Sequence, residues 1–285
     1  MKLLGFNRMP DVFSNNRLIS KGCHLIVLVS LKGYGMVCKI QVYEKPVLND
    51  PVLIEGLPGI GFVANIAVLH LIHELKAKLF VEIQSSSFQD LAMSTGDGGT
   101  YFPTNQLYFH KGKDGERDLI ILYGNTQALT TVGQYELCGK ILDISQELGC
   151  KQVLTIGGLK KEEKIEKPDI YCTASDKETL QEAVDLGAKI MKGHIFGVAG
   201  LLVGLCKLRN MKGLCLLAET SGLYPDVVAT KEVLNVLRKM LNLQTDMKSL
   251  SGAAEETGKI LKSFGVVSPS STEKKDREAD FRWFI

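Results

Sequence analysis

No two cysteines of this 285-residue sequence stand in a C-x-x-C pair, although there are seven: Cys23, Cys38, Cys138, Cys150, Cys172, Cys206 and Cys215. Their odd number and their scatter through apolar runs argue against a disulfide framework. They fit free thiols buried as small hydrophobes in a reducing cytoplasm. Long apolar runs are also missing. The stretch Cys23–Leu31 is about nine residues, well short of the roughly 20 that a membrane span needs, and no small-residue cleavage site follows it. Charge of one sign is nearly absent: 34 Lys and Arg offset 32 Asp and Glu, for a net of +2. That balance gives no general attraction to nucleic acid or membrane. No G-x-S-x-G elbow is present, and Ser85-Ser86-Ser87 lacks its flanking glycines.

What is present is an alternation of strand and helix patterns. Val52–Gly56 (VLIEG) is a short apolar run between Pro51 and a glycine, which predicts a strand. Phe62–Leu75 reads as a helix and Phe80–Gln84 as a strand. Leu107–Lys111 and Leu119–Gly124 flank a Gly-Lys-Asp-Gly loop and predict a hairpin. A helix over Gln134–Leu148 should stop at Gly149. Then come strand QVLTIGG, the charged loop Lys160–Lys167, strand DIYCTA and helix Lys177–Leu186. Four glycines (193, 197, 200 and 204) punctuate the next segment. A strand over Leu214–Ala218 precedes a helix opened by Asp226, the expected N-cap, and a last helix covers about Met247–Phe264. This order predicts an α/β domain with helices on both faces of a sheet, mixed rather than parallel because of the hairpin.

The parse is an N-terminal extension over 1–35, an α/β domain over 36–245, a C-terminal helix over 246–265 and a tail over 266–285. Met36 opens a cleaner start than the residues before it, so 1–35 read as an extension or an upstream translation artefact. Residues 268–280 (SPSSTEKKDREAD) are too polar to offset ordering entropy by burial and read as a flexible tether.

One motif suggests enzyme chemistry. Gly59-Ile60-Gly61-Phe62-Val63-Ala64 matches G-x-G-x-x-A after a strand and before a helix, where backbone amides can receive pyrophosphate. Glu82, about 20 residues on, is the candidate ribose-binding carboxylate. The competing reading is a tight strand-to-helix turn that needs glycine for positive φ and close packing; Pro58 is foreign to the fingerprint. His70 and His73, beside Glu74, would need further ligands to hold a metal, so no metal and no cofactor are expected. Thr220-Ser221-Gly222 reads as a turn or a cap, with no basic neighbour in sequence to make it an anion site.

The sequence closes Asp280-Phe281-Arg282-Trp283-Phe284-Ile285, and its only tryptophan is here. Exposed aromatic clusters mark binding sites, because Trp and Tyr dominate interface hot spots. The alternative is a tail folded back on its own domain. Taken together, IEGLPGIGFVANIAVLHL, TIGG, GHIFGVAGLL and LLAETSGLYPDVVATKEVLNVLRKMLNL resemble the proteasome assembly chaperone 2 family and its archaeal homologues, over roughly Val47–Leu261. The resemblance implies a three-layer αβα sandwich of phosphorylase-like architecture without catalysis. It implies action on the proteasome core particle; the tether and aromatic terminus add the expectation of a homo-oligomeric body that presents several tails to the core's α-subunits. Some archaeal members end in a hydrophobic–tyrosine–any motif. Carried over, Trp283 takes the hydrophobic position, Phe284 the tyrosine position and Ile285 the last, carboxylate-bearing one. Phe284 departs from the pattern by lacking the hydroxyl.

Overall fold

The computed structural model describes residues 25–28, 38–94, 97–113, 115–162, 165, 167–222 and 225–263. The strands are β1 (Leu25–Leu28), β2 (Cys38–Val42), β3 (Val52–Gly56), β4 (Lys78–Ser85), β5 (Met93–Ser94), β6 (Thr100–Tyr101), β7 (Asn105–His110), β8 (Leu119–Gly124), β9 (Gln152–Lys160), β10 (Ile170–Ala174), β11 (Lys189–Ile190) and β12 (Lys212–Thr220). The helices are α1 (Val63–Glu74), α2 (Thr131–Glu147), α3 (Lys177–Asp185), α4 (Gly197–Leu208), α5 (Val227–Leu241) and α6 (Leu250–Ser263). No helix among the described residues is long and apolar enough to cross a membrane.

Ten strands form one sheet in the order β1-β2-β4-β7-β8-β3-β9-β12-β10-β11, while β5 and β6 pair apart from it. The four central strands β8, β3, β9 and β12 run parallel. The predicted hairpin β7–β8 is antiparallel, as are β4–β7, β2–β4 and β1–β2, so the sheet is mixed. Leu25–Leu28, within the expected extension, pairs as an edge strand with β2.

The central strands are buried on both faces. All five residues of β3 are buried, which is why VLIEG shows no alternation. Ile54 and Leu216 face a layer built from α1, α3, α5 and α6, whereas Leu53 and Val153 face α2 and α4. The result is the expected three-layer αβα sandwich. Local signals explain most boundaries. Thr130 caps α2 by accepting from Gly133 N, so the helix begins at Thr131, three residues before the predicted start. Asp226 caps α5 by accepting from Ala229 N at 2.9 Å. The charged run begins one residue late, because Lys160 still belongs to β9, paired with Thr220. The glycine-punctuated segment forms α4, whose Val198, Leu202 and Cys206 repeat every four residues and bury against the sheet.

Candidate functional site

The carboxyl ends of the parallel strands carry the glycine loop. Gly61 has φ +66, and a Cβ there would lie 2.8 Å from Thr220 Oγ1. Its carbonyl accepts from Asp226 N at 3.1 Å. Asn65, in the first turn of α1, donates to the Gly56 and Gly124 carbonyls at 3.1 and 2.8 Å. The loop is therefore clamped to β8, to the end of β12 and to the cap of α5. These contacts give the glycines a packing role, which is the turn reading of the motif.

The dinucleotide reading fails at its acidic residue. In that fold the second strand lies beside the first. Here β4 is separated from β3 by β7 and β8. Glu82 accepts from Gln84 Nε2 at 3.1 Å and Gln106 Nε2 at 3.4 Å, far along the sheet from Gly59 and Gly61.

A different carboxylate stands by the loop. A cavity of about 170 Å³ lies at the carboxyl ends of β3 and β9, and Glu55, Gly59, Gln127, Gly157, Lys160 and His194 are among its walls. Glu55 is 1% exposed. Its Oε1 accepts from Leu57 N at 2.8 Å, while the buried Oε2 has no hydrogen-bond partner. Burial pushes the carboxyl up to about 7, against the opposing pull of the Leu57 and Ile156 amides. Gln127 holds the walls together: its Nε2 donates to Pro58 O at 2.7 Å and its Oε1 accepts from Val198 N at 3.1 Å. It thus ties the loop to the start of α4. Ile60, Ile156, Leu217 and Phe196 supply apolar surface. Sequence reasoning missed this site. The one legible signal was a charged residue inside an otherwise apolar strand.

The remaining candidates serve packing. His70 is fully buried in α1, with Ser249 Oγ 3.1 Å from its Nδ1; Ser249 also donates to Glu74 at 2.5 Å. Burial lowers the His70 pKa, opposed by Glu74. His73 is half exposed and lies 3.7 Å from Glu256 of α6. Both histidines thus help dock α6. Thr220 Oγ1 donates to Asp226 and accepts from Gly222 N. Cys38, Cys138, Cys150, Cys172, Cys206 and Cys215 are buried free thiols. Burial raises all of them, Cys150 to about 11 and Cys215 to about 12, which makes them inert at neutral pH. Cys23, Trp283, Phe284 and Ile285 lie outside the described residues.

Comparison with known proteins places the body. A family profile described as the PAC2 family matches residues 53–264. An uncharacterized protein of Methanocaldococcus jannaschii is 32% identical over 242 residues, 83% of this chain and 93% of that protein. Among solved structures, Pyrococcus furiosus PbaB, an archaeal proteasome activator, is similar at 37% identity and TM-score 0.71, over 80% of this chain and 98% of its own. P. furiosus PbaA, an archaeal homolog of proteasome-assembly chaperone, is similar at 26% identity and TM-score 0.65, over 80% and 96%. With its profile match spanning the sheet and all six helices but the first strands, this chain belongs to the PAC2 family.

Proposed function

We propose that this chain is a non-enzymatic proteasome-binding protein of the cytoplasm, an assembly chaperone or activator. It docks Trp283, Phe284 and Ile285 into pockets between α-subunits of the core particle. The observation that carries the reading is the body's similarity to an archaeal proteasome activator across 98% of that chain. The composition of residues 268–285, a polar leash before an aromatic tip, supports the docking mode.

The physics of such docking is general. A terminal carboxylate entering a crevice can pair with a lysine there, and exclusion of water strengthens the pair when its geometry is good. Each buried aromatic contributes about 1.5–3 kcal/mol before ordering costs. A single tail therefore binds weakly, and a homo-oligomer presenting several tails gains by effective concentration. A leash of about 20 residues has a root-mean-square span of roughly 25 Å, suited to repeated pockets on a ring. Val132 and Tyr135 of α2 and Leu208 of α4 are large exposed apolar residues of one helical layer, which supports self-association of the body.

The test is a pulldown of purified core particle with the full chain and with a chain lacking Trp283–Ile285. The shortened chain is expected to lose the core particle while keeping its fold; unchanged capture refutes the tail mechanism. Peptide hydrolysis by the core particle then separates the two roles. Stimulation identifies an activator, and stable binding without stimulation identifies an assembly factor.

A further inference from the structure

The cavity beside the glycine loop is not used by tail docking. Two of its properties point to a ligand. First, Glu55 is almost fully buried with a carboxyl oxygen that nothing in the fold satisfies. A buried polar atom without a partner is costly, and packing alone gives no reason to keep one. Second, the walls are sorted by chemistry. Glu55 is its buried acid, Leu57, Ile60 and Phe196 are apolar walls, and Lys160, exposed at the end of β9, is its lysine.

We propose that this cavity binds a small molecule that donates an N–H to Glu55 Oε2, packs a flat apolar middle against Ile60 and Phe196, and presents an anionic or acceptor atom to Lys160. Above about pH 7 the carboxyl is ionised and can only accept, so the missing partner is then a donor. The volume of about 170 Å³ slightly exceeds the roughly 150 Å³ that accommodates a benzene ring. It suits one ring with a substituent at each end. Position agrees with chemistry, since ligands of α/β sheets bind outside the carboxyl ends of parallel strands. A cation alone is a poor occupant, because no group of three metal-ligating side chains occurs among the described residues.

The probe is 4-aminobenzoate, which carries an N–H donor and a carboxylate across one ring. Benzoate, which lacks the donor, and aniline, which lacks the anion, are its controls. Ligand-observed NMR titration of the full chain is expected to show saturable 4-aminobenzoate binding at about millimolar or tighter. Glu55→Gln turns an acceptor toward the donor's place into an N–H, and should weaken 4-aminobenzoate about threefold or more while leaving benzoate unchanged. Gly157→Ala, which pushes Leu217 into the space, should weaken 4-aminobenzoate and benzoate alike, and decides the matter if Glu55→Gln does not fold. No saturation below about 10 mM, or a smaller than threefold effect from the folded Glu55 variant, overturns the site. Neither result bears on tail docking, which this titration does not read.

Discussion

Residues 250–263 and residues 264–285 share a boundary and use apolar side chains in opposite ways. Among the described side chains of α6, residues 250–259, the buried positions are Leu250, Ala253, Ala254 and Thr257. That spacing of three and four puts one face against α1 and α5 and leaves the other to water. Beyond Ser263, after Phe264, Val266 and Val267, the apolar residues gather at the end as Phe281, Trp283, Phe284 and Ile285, behind a run of Ser, Lys, Glu and Asp. A helical period serves the chain's own core. A contiguous aromatic tip at the end of a polar run has no such period, and suits a pocket on another molecule.

That division predicts separable losses. Removal of Trp283–Ile285 should weaken core-particle binding by about 1000-fold, or about 4 kcal/mol, and leave the melting temperature within about 1 °C. A fall in stability of the same size as the binding loss would break the comparison. In the other direction, Ala253→Asp places a charge at a position 2% exposed. It should cost about 3–4 kcal/mol in urea unfolding, while a peptide of residues 264–285 binds the core particle unchanged.

Glu55 tests the body alone. Its folded value of about 7 lies above an ordinary 4.5, so the folded protein holds the proton more tightly. Stability is then complete below about pH 4.5, falls as pH rises toward 7, and stays low above it, by about 3 kcal/mol in all. Glu55→Gln should remove that slope, so that the variant gains on the parent by this amount between pH 4.5 and 8. Parallel stability curves would show that the carboxyl is solvated. The smallest effect belongs to the tip: Phe284→Tyr should tighten core-particle binding about fivefold, near 1 kcal/mol, if the restored hydroxyl finds its partner. The change should leave body stability untouched.

Two glutamates show how far the sequence could be read. Strand–helix alternation was legible because β3, β7, β8 and α1 each carry strong local signals, and the layers followed from them. Glu82 was chosen by its distance along the chain from the glycine loop. Distance along the chain does not fix strand order, and two intervening strands carry Glu82 away. Glu55 gives no sign of its role in VLIEG, where it is a lone acid in a short apolar run. Its meaning comes from Gln127, Gly157, Lys160 and Phe196, which converge from three other segments. The four glycines over 193–204 give no helix signal, because glycine is a poor helix former by itself. Packing of Val198, Leu202 and Cys206 on the sheet outweighs that preference.

The tip itself is best tested by competition. The full chain is bound to purified core particle and challenged with a synthetic Asp280–Ile285 peptide, in one form with a free carboxylate and in the other with an amide. The account predicts that the free acid displaces the chain and the amide does not. Equal displacement by both peptides, or by neither, would contradict it.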